Sequence, residues 1–220
     1  MKKLLNKAKD IKIIFFDIDD TLRVKDTGFM PASLTHIFEI LHQKGILTGI
    51  ATGRNLCGVV PEIKALHPDF FVTANGAYVI DKSDQVIYKQ SLPQKVVLDI
   101  VEWLTSSSAE YVVYGADQVV ASAWSDTMQS AIEPIYGQLP IDPDYHLTHD
   151  IFQMVTMSEH DDQLILPEKL SESVRMVRWH EHSSDIVPLN GSKAVGVSQV
   201  LDQLGLSVEN VMNFGDGLND

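Results

Sequence analysis

The stretch Lys12-Ile13-Ile14-Phe15-Phe16-Asp17-Ile18-Asp19-Asp20-Thr21 sets an uninterrupted apolar run against an abrupt polar turn. A run of this kind, rich in β-branched and aromatic side chains, predicts a short strand buried on both faces, as inside a parallel sheet. The pattern recurs at Ile46 to Ala51, Phe70 to Thr73 and Val211 to Phe214. Between the first two runs, Leu34, Ile37, Phe38, Ile40 and Leu41 repeat at helical spacing over Ser33 to Lys44, and Gly45 supplies a stop. Asn55 to Leu66 reads as a weaker helix interrupted by Pro61, and Lys193 to Leu204 as a helix closed by Gly205. Strands alternating with helices in this order predict an α/β core, a doubly wound parallel sheet of Rossmann-like type.

After Asn75-Gly76 the pattern changes to hairpins. Tyr78 to Ile80 faces Gln85 to Tyr88, and Tyr111 to Tyr114 faces Gln118 to Trp124 around Gly115-Ala116-Asp117. Ile151 to Met157, Val174 to Trp179 and Asp185 to Leu189 add strand-like pieces. Helical stretches fall at Gln94 to Leu104 and near Thr127 to Tyr136 and Asp162 to Leu170. Residues 82–187 thus read as an α+β domain inserted into a core made of 1–81 and 188–220.

The chain has 220 residues, of which 17 are Lys or Arg and 30 are Asp or Glu, a net charge of −13. That balance repels phosphate backbones and anionic lipid, so nucleic acid and membrane surfaces are not expected partners. The start carries Lys, Asn and Asp before any apolar run, which is neither a signal peptide nor a membrane span. The single Cys57 forms no internal disulfide, is expected to be a small buried apolar residue, and suits the reducing cytoplasm.

Asp17 and Asp19 lie just past the first strand at a spacing of two, so a continued strand would project both to one side. Thr52-Gly53-Arg54 and Asp216 hold the same end-of-strand position after the second and last runs, where parallel sheets bind ligands. Asp216 and Asp220, four apart, share one face of a starting helical turn. Four carboxylates in one site would repel by about 4 kcal/mol per pair at about 4 Å, so a cation is expected among them. An oxygen-only donor set with room for water and phosphate points to Mg²⁺. A calcium loop beginning at Asp17 fails because Leu22 and Gly28 stand where Gly and Glu are needed, and the eight His lack the close partners zinc requires. Asn190-Gly191-Ser192-Lys193 is like the tail of a nucleotide-binding loop, but Val187 replaces the earlier glycine. What remains is a Lys at a helix start, suited to a phosphate oxygen, though alone it would read as a solvated charge.

Taken in order, Asp17-Ile18-Asp19-Asp20-Thr21, Thr52-Gly53-Arg54, Lys193 and Gly215-Asp216-Gly217-Leu218-Asn219-Asp220 resemble the four motifs of the haloacid dehalogenase-like superfamily. The nearest resemblance is to its Cof-type phosphatases, with Asn75-Gly76-Ala77 matching their usual sequence before the cap and the insertion similar to a type IIB α+β cap. The resemblance implies Asp17 as nucleophile and Asp19 as general acid and base. It implies Mg²⁺ held by Asp17, the Asp19 carbonyl and Asp216, with Asp220 in support. Thr52, Gly53, Lys193 and Asn219 would grip the phosphoryl group, and Arg54 and Asn75 would face the substrate. The implied activity is an Mg²⁺-dependent cytoplasmic phosphatase that hydrolyses a small phosphate ester, a sugar phosphate first, through an aspartyl-phosphate. A phosphomutase on the same core, or a catalytically weak protein that binds Mg²⁺ or a phosphorylated metabolite, are the alternatives. Family members normally continue past the last motif, so a truncated C-terminus and a poorly fixed Gly215 to Asp220 are also expected.

Overall fold

The computed structural model describes residues 9–217. One sheet holds β1 (Ile13–Phe16), β2 (Leu47–Ala51), β3 (Phe70–Thr73), β4 (Tyr78–Asp81), β5 (Val86–Lys89) and β11 (Val211–Phe214), in the order β11-β1-β2-β3-β4-β5. A second sheet holds β6 (Glu110–Tyr114), β7 (Val119–Ala121), β8 (Gln153–Met157), β9 (Val174–His180) and β10 (Ser183–Pro188), in the order β7-β6-β8-β10-β9. The helices are α1 (Ser33–Gln43), α2 (Pro61–Lys64), α3 (Gln94–Ser106), α4 (Asp126–Ala131), α5 (Glu133–Tyr136), α6 (Glu168–Ser171) and α7 (Lys193–Leu204).

The chain divides into two compact units, one of Met1–Arg54, Val59–Lys89 and Ser192–Asp220, the other of Asn55–Gly58 and Gln90–Gly191. In the first, β11, β1, β2 and β3 run parallel, and β4 and β5 continue as an antiparallel hairpin. β1 shows why its apolar run is unbroken. Ile13 and Phe15 pack with Val72, Val79, Val197, Val200 and Leu201. Ile14 and Phe16 pack instead with Phe38, Ile50 and Ile63. Alternate residues thus feed a core on either side, with α7 on one face and α1 and α2 on the other. Burying side chains of this size contributes about 1.5–3 kcal/mol each.

Local signals set the ends of these helices. Ser192 caps α7 by accepting from the Val195 N–H at 3.2 Å, and Gly205 closes it in the left-handed conformation at φ 65°. Gly45, at φ 69°, follows α1 in the same way. Pro61 opens α2 at its first turn rather than interrupting a longer helix.

The second unit is an antiparallel sheet with α3 and α6 on one face, where Val97, Ile100, Leu104 and Leu170 meet Tyr111, Val113, Met154 and Ile186. Its short segment Asn55–Gly58 is tied to the rest by the Asn55 Nδ2 donating to the Gly115 carbonyl at 2.5 Å and the Asn55 N–H donating to the Tyr136 hydroxyl at 3.1 Å.

Several expectations need correction. β5, placed in the insertion by a boundary at 81/82, is hydrogen-bonded to β4, and the first unit runs to Lys89 and resumes at Ser192. The helix expected over Asp162 to Leu170 is a short turn at Asp161–Gln163 and then α6, because Pro167 cannot continue a helix. The helix near Thr127 to Tyr136 splits into α4 and α5, with Pro134 in the first turn of the second. The strand expected over Gln118 to Trp124 shortens to β7. Among the described residues β11 is not buried on both faces: it ends the strand order on its side, and its Phe214 is 46% exposed. Cys57 is exposed rather than buried. Among the described residues no helix is long and apolar enough to cross a membrane.

Two glycines let α7 approach the turn after β3. A Cβ on Gly76, whose φ is +91°, would stand 2.0 Å from the Ser192 carbonyl oxygen, and one on Gly196 would stand 2.5 Å from Val72 Cγ1 and 2.9 Å from Gly76 Cα. Backbone cannot give way as a flexible side chain can. Gly196→Ala is therefore expected to destabilise the chain by about 2 kcal/mol and to lower Tm by roughly 4–8 °C. Calorimetry checks this, and an unchanged or raised Tm for Gly196→Ala would contradict the close approach.

Candidate active site

Parallel pairing aligns the C-terminal ends of β11, β1, β2 and β3, with Phe16 opposite both Phe214 and Ile50, and Ala51 opposite Val72. The residues that follow these strands are therefore neighbours. The Asp17 N–H extends the ladder by donating to the Phe214 carbonyl at 2.9 Å. Asp17 keeps the parity of Ile13 and Phe15, so it faces the side covered by α7.

Lys193, the first residue of α7, meets it there. Its Nζ donates to Asp17 Oδ1 at 2.8 Å, and the two side chains are only 5% and 8% exposed. Removing an ammonium and a carboxylate from water costs several kcal/mol per ion, which only close mutual contact offsets. The positive end of the α7 dipole adds to the attraction for an anion at this point. A small cavity of about 90 Å³ lies beside the pair, lined by Phe15, Ala51, Val197 and Phe214 as well as both ions.

Asp19 does not share that position. The Ile18 carbonyl accepts from the N–H groups of Leu22 at 3.0 Å and Arg23 at 2.9 Å, and Asp20 turns left-handed at φ 55°, so the strand direction ends before Asp19. The continued strand on which a shared projection of both carboxylates depended is therefore absent. Asp19 instead accepts from Arg54, whose Nε reaches Oδ2 at 2.8 Å and Nη2 reaches Oδ1 at 2.7 Å. Arg54, expected toward the substrate, is 5% exposed and holds a catalytic candidate.

Thr52, Gly53 and Asn75 come together beyond β2. The Thr52 hydroxyl oxygen accepts from the Arg54 N–H at 3.1 Å, which leaves its proton to donate outward. The Thr52 carbonyl accepts from the Asn75 N–H at 3.1 Å, and the Arg54 carbonyl from the Ala74 N–H at 2.8 Å. Ala74 and Asn75 hold left-handed φ values of 49° and 52°, a strain of order 1–3 kcal/mol each that the surrounding contacts sustain. The Asn75 amide lies over Gly53, whose added Cβ would stand 3.3 Å from it.

Asp216 follows β11 and is exposed, two residues past the strand that pairs with β1. Asn219 and Asp220 lie outside the described residues. Among the described residues no three His, Cys, Asp or Glu side chains are grouped to hold a metal. The two carboxylates nearest the sheet are instead each met by a basic side chain, so the charge expected to need a cation is partly neutralised by Lys193 and Arg54. The donor set still fits a hard cation. Asp17 and Asp216 carboxylates and the Asp19 carbonyl are all oxygens, carried on the ends of adjoining strands.

Sequence reasoning placed Asp17, Asp19, Thr52, Lys193 and Asp216 at one sheet end but missed the Arg54–Asp19 fork. Its signal was available, since a guanidinium after β2 matches a carboxylate after β1 in geometry as well as charge. Asn55, which ties the next segment into the second unit, carried no signal at all.

The sequence signature of haloacid dehalogenase-like hydrolases matches residues 14–220. A Streptococcus pyogenes protein described as a bifunctional phosphatase/peptidyl-prolyl cis-trans isomerase is 49% identical over 99% of this chain, which spans 46% of that protein's length. A Bacillus subtilis protein described as a phosphatase is 31% identical over 96% of this chain and 81% of its own. A crystal structure of a hypothetical protein from Geobacillus kaustophilus superposes with a TM-score of 0.83, at 33% identity, over 96% of this chain and 82% of that one.

The buried pair at Asp17 predicts an asymmetric response to substitution. Lys193→Met leaves a carboxylate buried without its cation and is expected to lower stability by about 3–5 kcal/mol. Adding Asp17→Asn removes that charge and should recover most of the loss. Urea unfolding of the two single variants and the double variant measures the coupling, and additive losses would contradict it.

Proposed function

Because the chain belongs to the haloacid dehalogenase-like hydrolases, we propose that it is an Mg²⁺-dependent phosphatase acting on a small phosphorylated metabolite in the cytoplasm. The observation that supports this reading is the buried contact of Asp17 with Lys193, a carboxylate oxygen beside an ammonium suited to a phosphate oxygen. An Asp17 oxygen attacks phosphorus, the ester P–O bond breaks, and the leaving alcohol takes a proton from Asp19. Water then attacks the aspartyl-phosphate while Asp19 accepts its proton, the bond to Asp17 breaks, and inorganic phosphate is released. On this reading Lys193 and the Thr52 hydroxyl donate to the phosphoryl oxygens as charge develops on them.

Asp17, the Asp19 carbonyl and Asp216 would hold the metal, with Asp220 in support. When bound, Mg²⁺ supplies positive charge that offsets the phosphoryl oxygens. Sugar phosphates suit a chain of net charge −13, because their only anionic group is the one that Lys193 meets.

Chelation is expected to abolish phosphate release, and added Mg²⁺ to restore it. Undiminished turnover in metal-free buffer would exclude the metal from the mechanism. Asp17→Asn should give no phosphoenzyme, because the attacking oxygen is gone. Asp19→Asn keeps its carbonyl but loses proton transfer, worth about 10²–10⁴ in rate, and should accumulate phosphate on Asp17 from an aryl phosphate. Acid-quenched peptide mapping separates the two, and label on any residue other than Asp17 would overturn the assignment.

A further inference from the structure

Among the described residues, the Arg54–Asp19 fork is a strong interaction at the sheet end that the phosphatase reading leaves without a task. Three features set it apart from a surface ion pair. Both carboxylate oxygens of Asp19 are engaged, at 2.8 and 2.7 Å, by two different nitrogens of one planar group. The guanidinium is nearly buried, at 5% exposure, against 26% for the carboxylate. Its backbone is held at both ends, the N–H on the Thr52 hydroxyl and the carbonyl on the Ala74 N–H. A two-point fork fixes the plane of a carboxylate, which a single point charge such as Lys cannot do. That constraint matters here, because the backbone around Asp19 is a tight turn with Asp20 at φ 55° rather than a strand that would orient its side chains by pleat.

We propose that Arg54 is the positioning residue for Asp19. It acts through that carboxylate, setting the plane in which Asp19 gives its proton to the leaving oxygen and takes one from water, and it does not bind substrate. The inference rests on the phosphatase reading of Asp17 and Asp19. The strained turn at Ala74 and Asn75 gains a purpose on this view, since Ala74 anchors the carbonyl of the residue that aims the acid.

The test compares full-length wild type, Arg54→Ala and Arg54→Lys on an aryl phosphate, whose leaving group needs no proton, and on an alkyl phosphate, which does. For Arg54→Ala, kcat on the alkyl phosphate should fall about 10- to 100-fold with KM within about twofold of wild type. On the aryl phosphate it should show a burst of phenol and then slow turnover, with phosphate held on Asp17. Arg54→Lys should recover only part of the loss, and Arg54→Ala/Asp19→Asn should be no slower than Asp19→Asn alone. A KM rise of tenfold or more with kcat unchanged would overturn the proposal in favour of substrate binding by Arg54. An equal loss on both esters without a burst would also overturn it. If Arg54→Ala does not fold, Arg54→Lys carries the same comparison, and wild-type-like selectivity between the esters in that variant rejects the fork. Wild-type label on Asp17 tests the underlying reading separately: its absence removes the phosphatase mechanism, whereas its presence with wild-type-like Arg54 variants removes only this inference.

Discussion

The contact between Lys193 and Asp17 joins residues 176 positions apart and places two opposite charges where water hardly reaches. A pair so buried is tolerable only if each ion is delivered to the other with little freedom left. Everything around it serves that delivery. The ladder from β11 holds the Asp17 backbone, Ser192 starts the helix at the right residue, and Gly76 and Gly196 let that helix sit against the turn after β3. Fold and site are therefore one construction, and the core packing on either side of β1 is what makes the electrostatics possible.

A second consequence concerns charge. The chain as a whole is strongly acidic, yet the two carboxylates at the head of the sheet each carry a basic partner. The head of the sheet is thus less negative than its carboxylates alone would make it. Lys193 and Arg54 use the same principle for different ends. The compact ammonium meets one oxygen of Asp17, and the planar guanidinium grips Asp19 by both oxygens.

Much of this was legible in residues alone, and the reasons differ by element. β1, β3, α7 and β11 were read to within a residue because a run of apolar residues, or a helical repeat closed by Gly205, leaves little choice. The site strands were legible for the same reason, since Asp17, Thr52 and Asp216 sit immediately after them. What escaped depends on where side chains turn once regular structure stops. Nothing in the spacing of Asp17 and Asp19 reveals that the Ile18 carbonyl gathers a turn and sends them to different cations. The exposure of β11 among the described residues escaped because composition does not say which strands flank it. Pro167 and Pro134 were visible as letters but not weighed as helix breaks. The outer limit of the first unit was missed because β5 reads as a hairpin partner whichever domain owns it.

The pairing of β1 with β11 also bears on how the chain assembles. β1 precedes β11 by nearly all of the described chain, so the Asp17 N–H waits for its acceptor until the residues between them exist. The intervening unit over Gln90–Gly191 has its own sheet and core and needs only the short Asn55–Gly58 segment from outside that span. It can therefore form while the first sheet is still open on its β11 side, and its folding shortens the effective loop that must close before β11 docks. Such distant parallel pairing is slow compared with local hairpins. The end of the sheet that carries Asp17 and Lys193 is, on this ordering, completed only after the intervening unit has been made.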